Sequence, residues 1–364
     1  MDNIITYAET CLDTFAQRPF GDVDSLILSC LAYLDIPEPL ANARNWRGLR
    51  LAELYRAEHF DRLFSVTFAP QKTRQLLTAL AASPRFRDIR VMGYTATLDA
   101  LREKQFAAMT FRLAPKLSYI AFRGTDSTLV GWKEDFNMAF RTPVPAQQSA
   151  RGYFTVAAAH CPGELLLGGH SKGGNLAVYA AAFCGKRLQN RIAQVFSHDG
   201  PGFLPEVLES AGYAAVVDRI EKTLPQSSVV GMLLEQQERC KIVRSKSISL
   251  LQHDPFNWEV REGAFVPLEH LTRDARHVDR TLTAWLQQVD HNQRERLVDA
   301  LFGILESTDV RTLDQLRTDW QKTIPAVARE AAKLDQDTRE FLLKMLKELA
   351  ALSLKTLPAS LKKE

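Results

Sequence analysis

The stretch best suited to covalent chemistry is Gly169-His170-Ser171-Lys172-Gly173-Gly174. It fits the pattern Gly-x-Ser-x-Gly, in which a tight strand-to-helix turn lifts a serine hydroxyl clear of the backbone. Bulky side chains at Gly169 or Gly173 would clash within such a turn. The positive end of a following helix would lie where an anionic oxygen forms during attack on a carbonyl. We therefore predict that Ser171 is a nucleophile; the alternative is that the glycines merely close a turn.

A serine nucleophile needs a base, and the sequence contains eight histidines. In the chain order nucleophile, acid, base, the histidine comes last. Among the histidines after the serine, we expect His253 to be the base because it follows the last predicted strand. His270 and His277 have a helical spacing and are expected on the surface, and His170 is expected to pack beneath the turn. The full set of candidates is His198, His253, His270, His277 and His291.

The acid that completes the set is expected to be Asp199, which follows the predicted strand after the nucleophile helix. Other carboxylates remain open, since Asp199 could instead cap the turn before Gly200-Pro201-Gly202. Asp254 is a poorer choice, because it would point away from His253 along an extended chain. In this arrangement His253 accepts the serine proton and the acid orients the imidazole. That chemistry needs neither a metal nor a cofactor.

The elements around these residues predict an α/β fold with a mostly parallel central sheet. Leu165-Leu166-Leu167 reads as a strand before the serine, and Asn175 to Cys184 reads as a helix after it. Strands that alternate with helices are typical of such a sheet. The other predicted strands cover Phe106 to Leu113, Leu117 to Arg123, Arg191 to Ser197 and Lys241 to Leu251.

Helical patterns dominate both ends of the chain. In the first part they cover 22–34, 49–60 and 72–82, and in the last part they cover 284–286, 297–305, 313–320 and 339–354. We predict three parts, namely a helical N-terminal segment packed on the core (1–84), an α/β core (85–266) and a helical C-terminal extension (267–364).

The composition argues against several classes of protein. The net charge is +3, with no run of Lys and Arg beyond Lys362-Lys363, so nucleic-acid binding is not expected. Five scattered cysteines form no zinc-binding pattern and predict reduced thiols. No signal peptide and no apolar stretch of about 18 residues is found, so we expect a cytoplasmic protein without a membrane span.

The segment Phe122-Arg123-Gly124-Thr125, followed by Trp132 and Asp135, resembles the strand-end motif of class 3 lipases. In that family the Ser or Thr after Arg-Gly supplies part of the oxyanion hole. The resemblance implies that the donors here are the backbone N–H groups of Thr125 and Lys172, together with the Thr125 hydroxyl. Lys172 replaces the Leu or Gln common in lipases. We expect its side chain to point to solvent, the alternative being that it favours an anionic substrate.

A wider set of segments resembles the bacterial Mbeg1-like proteins of the α/β-hydrolase superfamily. The resemblance covers about residues 15 to 260 and implies an α/β-hydrolase fold. Class 3 lipases place the acid in an Asp-x-Val-Pro segment, whereas Ser227-Ser228-Val229-Val230-Gly231 contains no carboxylate. The other matching segments are Pro19-Phe20, Val23-Asp24-Ser25, Phe122 to Asp126, Gly169 to Asn175, Asp199 to Phe203 and Gln252 to Trp258.

Three functions remain open at this point. The favoured one is hydrolysis of a small-molecule carboxylic ester, lipids included. The second is a thioesterase, amidase or acyltransferase on the same fold, and the third is a catalytically inactive binding protein. The aromatic and apolar residues after the lipase-like motif are expected to be core, although they could line an acyl pocket or lie under a lid: Trp132, Phe136, Met138 and Phe140.

Overall fold

A nine-stranded mixed sheet is the centre of the computed structural model, which describes residues 2–126, 128–247, 249–308 and 320–356. Its strands lie in the order β1 to β8 followed by β11. A separate two-stranded hairpin, β9 and β10, completes the β structure of these residues. The strands are β1 (Leu49–Arg50), β2 (Arg90–Asp99), β3 (Lys104–Ala114), β4 (Leu117–Phe122), β5 (Glu164–His170), β6 (Ile192–His198), β7 (Ile220–Pro225), β8 (Arg239–Val243), β9 (Val260–Arg261), β10 (Ala264–Phe265) and β11 (Pro267–Leu268).

The pairing confirms an α/β fold but gives a mixed sheet. Strands β4 to β8 are parallel, whereas β1 to β4 and the pair β8–β11 are antiparallel. The parallel centre is covered on both faces, and Leu165 and Leu167 in β5 are fully buried. In this register His170 of β5 pairs with His198 of β6, which pairs with Thr223 of β7. The carboxyl ends of three neighbouring strands therefore meet at one edge.

Helices cover the sheet and extend beyond it. α7 and α8 share one hydrophobic cluster with the parallel strands, and the N-terminal helices share another cluster with β2 to β4. The helices are α1 (Ile4–Thr10), α2 (Asp22–Leu31), α3 (Ala41–Arg44), α4 (Phe60–Leu63), α5 (Pro70–Ala82), α6 (Leu129–Asn137), α7 (Pro145–His160), α8 (Lys172–Phe183), α9 (Lys186–Gln189), α10 (Pro205–Leu208), α11 (Ala211–Ala214), α12 (Arg273–Gln288), α13 (His291–Glu306), α14 (Trp320–Lys333) and α15 (Gln336–Thr356).

The N-terminal segment is tied to the core by a buried ion pair. Asp24 on α2 accepts from Arg85 at 2.7 and 2.8 Å and also from the N–H of Gly21 at 2.9 Å. Both charged side chains are almost fully buried, and such a pair is tolerated only when each group is fully hydrogen-bonded.

The C-terminal helix α13 packs against the α6 region in a small hydrophobic cluster. Val298 and Phe302 on α13 pack with Phe140 and Trp132, which lie at and after α6. Arg294 adds a hydrogen bond of 2.8 Å to the carbonyl of Ala139. Of the helices in the described part of the chain, none is both long and apolar enough to cross a bilayer.

Two of the predicted elements are wrong. The segment 49–60 is not one helix, because Leu49 and Arg50 pair with β2 and the N–H of Leu51 bonds to the carbonyl of Ile89. The strand predicted from Lys241 to Leu251 ends at Val243, after which the chain leaves the sheet. Strand β7 was not predicted at all. Of the helix predicted at 313–320, residues 313–319 lie outside the described residues.

Candidate active site

Ser171 lies in the sharp turn between β5 and α8. Its backbone has φ +59° and ψ −134°, a conformation that a residue with a side chain rarely adopts. The turn is held by a 2.9 Å hydrogen bond from the Ser171 N–H to the carbonyl of His198 on the neighbouring strand. Ser171 is 8 % exposed. The strained turn therefore places the serine at the carboxyl edge of the sheet.

The glycines around the serine are required by close backbone contacts. A Cβ on Gly169 would lie 2.2 Å from the carbonyl carbon of Gly173, and a Cβ on Gly173 would lie 2.1 Å from the carbonyl oxygen of Phe122. Both distances are far inside van der Waals contact, and the opposing atoms belong to the backbone. The turn thus excludes any larger residue at either position.

Gly169→Ala is expected to lower the free energy of unfolding by about 3 kcal/mol or more, because the new methyl group overlaps fixed backbone atoms. The matched control is Gly152→Ala, in the exposed interior of α7, where a Cβ meets nothing within 4 Å. That variant should gain about 0.5 to 1 kcal/mol through the better helix propensity of alanine. Denaturant unfolding of both variants measures the difference, and equal stability of the two would contradict the crowded turn.

Asp199 and His253 form a direct pair at the same edge. The Nδ1–H of His253 donates to Oδ2 of Asp199 at 2.7 Å, since a carboxylate oxygen can only accept. Asp199 is fully buried, whereas the His253 side chain keeps 26 % of its exposure. With Nδ1 occupied, the neutral ring presents Nε2 as its free proton acceptor. Histidine and acid are therefore arranged as a base and its orienting group require.

Two donors after β7 fix the acid, and neither was expected from the sequence. Oδ1 of Asp199 accepts from the hydroxyl of Ser228 at 2.5 Å and from the N–H of Gly231 at 3.1 Å. Both donors belong to the segment that lacks the carboxylate of class 3 lipases. A buried carboxylate is costly unless its oxygens are hydrogen-bonded. The segment supplies the groups that hold an acid located one strand earlier.

The loop that carries His253 is fixed on both sides of the histidine. Gln252 accepts from the N–H of Ser227 at 2.8 Å, and its carbonyl accepts from the indole of Trp258 at 2.8 Å. Asp254 pairs with Lys72 at 2.7 Å rather than with the imidazole. These contacts hold the histidine loop against the end of β7 and against α5.

His170 connects the histidine loop to the serine turn. Its Nε2 donates to the carbonyl of His253 at 2.8 Å, and the two rings lie 4.6 Å apart. Its Nδ1 faces the hydroxyl of Tyr33 at 3.4 Å. Burial holds the pKa of His170 well below its usual value, and the nearby His253 lowers it further. A neutral His170 thus packs beneath the turn, as expected, and its hydrogen bond to the carbonyl of His253 holds the histidine loop in place.

Ser171 and His253 lie at the same edge of the sheet and share no direct hydrogen bond. No hydrogen bond joins the serine hydroxyl to the imidazole among the residues that the structure describes. The link between them runs through His170, which is adjacent to the serine and bonded to the carbonyl of His253. Catalytic hydrogen bonds are often long in an empty site and tighten when substrate binds.

The remaining candidate histidines are not part of the Asp199–His253 pair, although the carbonyl of His198 accepts from the N–H of Ser171. His198 is fully buried, bonds to the hydroxyl of Ser25 at 2.9 Å, and has its pKa lowered to about 4 by burial. His270 and His291 are exposed, as expected for the first of them, but His277 is half-buried on α12. The described residues contain no group of three or more His, Cys, Asp and Glu side chains placed to hold a metal ion.

The predicted oxyanion donors lie on the two segments that meet at the serine. A Cβ on Gly124 would lie 3.1 Å from Cβ of Ser171, so the loop after β4 touches the serine turn. Lys172 is the first residue of α8, and its N–H has no acceptor within the helix. The hydroxyl of Thr125 donates to Oδ2 of Asp135 instead of facing free space. The Thr125 hydroxyl is therefore already engaged.

The expectation that the Lys172 side chain points to solvent is wrong. Lys172 is 1 % exposed, and its ammonium lies 3.1 Å from Oε2 of Glu134 and 3.1 Å from the carbonyl of Gln105. Oδ1 of Asp135 lies 3.5 Å away. The carboxylates of Glu134 and Asp135 on α6 attract the ammonium inward, which a sequence without contact information does not reveal. The buried ammonium is likewise not offered to an anionic substrate.

The aromatic residues near α6 serve mainly as core. Met138 and Phe140 are 3 % exposed, and Phe140 and Trp132 pack against α13. Phe136 is 48 % exposed, with its ring 5.6 Å from that of Phe302. These contacts favour core packing for Met138 and Phe140, whereas the expectation of core packing is wrong for the exposed Phe136.

Comparison with known proteins identifies the family. A model of the Mbeg1-like family matches residues 80–303, which is more than half of the chain. The chain belongs to the Mbeg1-like family. The matched region includes the serine turn, Asp199 and the His253 loop, so the resemblance of the sequence motifs to this family is confirmed. No curated protein matches the chain.

Solved lipase structures resemble this member of the Mbeg1-like family only distantly. A fungal lipase–inhibitor complex is 14 % identical, covers 67 % of this chain and 79 % of its own, and has a TM-score of 0.38. A deletion mutant of the Rhizomucor miehei lipase propeptide complex is 15 % identical, covers 68 % of this chain and 76 % of its own, and has a TM-score of 0.40. Lipase from Rhizopus microsporus var. chinensis is 14 % identical, covers 62 % of this chain and 91 % of its own, and has a TM-score of 0.36.

Proposed function

We propose that this Mbeg1-like protein is a serine hydrolase of the α/β-hydrolase fold that cleaves carboxylic esters through an acyl-enzyme. Ser171 is the nucleophile, His253 the base and Asp199 the acid. The observation that carries the proposal is the 2.7 Å bond between His253 and a buried Asp199 at the sheet edge that holds a strained serine. Backbone strain of this kind persists only where the surrounding structure enforces it, and it concentrates at functional sites.

The mechanism follows from the direction of each hydrogen bond. Nδ1–H of His253 is held by Asp199, so Nε2 accepts the proton of Ser171 as the serine oxygen attacks the acyl carbonyl. The same proton then goes to the leaving alcohol, and an acyl-serine remains. Water, deprotonated by Nε2, attacks the acyl carbon; the bond to the Ser171 oxygen breaks, that oxygen takes the proton back from Nε2, and the carboxylic acid product is released. The backbone N–H groups of Lys172 and Thr125 donate to the anionic oxygen formed in both steps.

The remaining parts of the proposal concern organisation and location. We propose the three-part division at residues 84 and 266, with the α/β part carrying the site. The substrate is a small acyl ester, lipids included, and no cofactor takes part. A cytoplasmic location fits five cysteines that are all unpaired.

Hydrolysis of a panel of acyl compounds tests the function. p-Nitrophenyl esters of increasing chain length, matched thioesters and matched anilides are offered to the wild-type chain and to Ser171→Ala. We expect ester turnover that depends on Ser171 and exceeds thioester and amide turnover. Faster thioester or amide cleavage would favour the second class of enzyme, and no turnover above the serine variant would favour a non-catalytic binding protein.

Asp199→Asn is expected to lower kcat by about 10⁴-fold, because an amide can hold the imidazole in the wrong tautomer and cannot stabilise its charged form. The fold should persist, since asparagine tolerates the positive φ of +51° at this position. The control is Asp61→Asn, which changes an exposed carboxylate on α4 outside the site, and it should stay within about threefold of wild type. Undiminished turnover in Asp199→Asn would place the acid elsewhere.

A further inference from the structure

Two acidic residues on α6, the buried Glu134 and the partly exposed Asp135, contact the side chain of the residue after the nucleophile. Glu134 is fully buried and accepts from the N–H of Gln105 at 2.9 Å, from the N–H of Ala146 at 2.7 Å and from Lys172 at 3.1 Å. It thereby joins β3, the start of α7 and the start of α8. The ammonium of Lys172 completes this junction from the side of the serine turn.

The neighbouring carboxylate connects the same ammonium to the other predicted oxyanion donor. Oδ1 of Asp135 lies 3.5 Å from the Lys172 nitrogen, and Oδ2 accepts the hydroxyl of Thr125. Burial raises the pKa of Asp135 to about 6, while the positive charge of Lys172 opposes that rise and favours the carboxylate. The chain of contacts therefore runs from Lys172 through Asp135 to Thr125.

We propose that Lys172 is a positioning residue of the oxyanion hole: its buried ammonium, anchored by Glu134, holds Asp135 and through it the Thr125 loop at the serine turn. Through its side chain, Lys172 thus fixes the position of Thr125, the other residue that donates to the oxyanion. This inference rests on the proposed hydrolase function and adds a role for the Lys172 side chain to that of its backbone N–H.

A purely structural role is the competing explanation, and general energetics argue against it. Taking two charges out of water carries a large desolvation cost, and replacing a buried ion pair by apolar residues is often neutral or stabilising. Apolar residues in place of both Lys172 and Glu134 would fill the same space without that cost. The charge is better explained by what it holds, since the oxyanion donors must be fixed before the reaction begins.

Lys172→Met tests the inference against a matched control, Lys222→Met. Lys222 on β7 is also fully buried and also pairs with a buried acid, Glu238 at 3.5 Å, but it contacts neither donor. For each variant we measure kcat and KM for hydrolysis of a short p-nitrophenyl ester, and the melting temperature of the protein. Lys172→Met should lower kcat by about 100-fold with KM changed less than about threefold, since misplaced oxyanion donors affect the transition state more than the bound ester. Lys222→Met should change the melting temperature and leave kcat within threefold.

The outcomes separate the inference from the function on which it rests. Wild-type turnover with an unimpaired Lys172→Met variant overturns the inference alone. Equal losses of kcat in both lysine variants, in step with their melting temperatures, also overturn it, because the effect would then be general destabilisation. Absence of wild-type turnover above that of Ser171→Ala overturns the proposed function and the inference together.

Discussion

Ser171→Ala should lower kcat for a short ester by about 10⁶-fold, since removal of the nucleophile leaves only the oxyanion donors and binding to act on the substrate. Fold and stability should be retained, because alanine and serine have similar backbone preferences at φ +59°. Steady-state hydrolysis, with circular dichroism as the check on folding, measures both properties.

The control for this loss is another serine. Ser65 is exposed, and its hydroxyl donates to the carbonyl of Arg62 at 2.8 Å. Ser65→Ala should keep the wild-type kcat within about twofold. A Ser171→Ala enzyme with more than about 1 % of wild-type turnover would show that another group forms the acyl bond.

His253→Ala should lower kcat by about 10⁵-fold or more, because the serine oxygen then has no group to take its proton. The residual rate should rise with pH, since hydroxide replaces the missing base. The loop should stay in place, because the bond from His170 reaches the backbone carbonyl of residue 253 rather than its ring. Stopped assays over a range of pH measure the slope.

The matched variant for this prediction is His270→Ala, which removes an exposed imidazole outside the site. It should behave as the wild type at every pH. Near-normal turnover in His253→Ala, or an equal loss in both histidine variants, would mean that the base has been misassigned.

The serine turn was accessible from the sequence because its constraint is local. Gly169 and Gly173 lie within two residues of Ser171, and their spacing alone indicates that backbone packs directly against backbone in this turn. The pairing of Asp199 with His253 was accessible for a related reason. The chain order of strands fixes which loops reach the same edge of a parallel sheet.

The supporting contacts could not be inferred in the same way. Ser228 and Gly231 hold Asp199 through a hydroxyl and a backbone N–H, and such groups have no distinctive residue pattern. Lysine is almost never fully buried unless paired, so Lys172 was assigned to the surface. Its partner Glu134 lies on a helix that is distant in sequence.

Strand β7 was missed because its pattern is dominated by polar residues. Glu221-Lys222-Thr223 interrupts the apolar alternation that marks a half-buried strand. Lys222 is nonetheless fully buried, and its ammonium is satisfied by Glu238 and Gln236. The segment that contains Gln236 and Glu238 explains how a strand with so many polar residues can lie inside the sheet.

Covalent labelling by a fluorophosphonate tests the central claim most directly, because the reagent reacts with an activated serine and needs no knowledge of the natural substrate. Peptide mass spectrometry of the labelled wild type should find one adduct, on Ser171. The adduct should be absent from Ser171→Ala and should form far more slowly in His253→Ala. An unlabelled wild-type chain, or an adduct on another residue that persists in Ser171→Ala, would contradict the account.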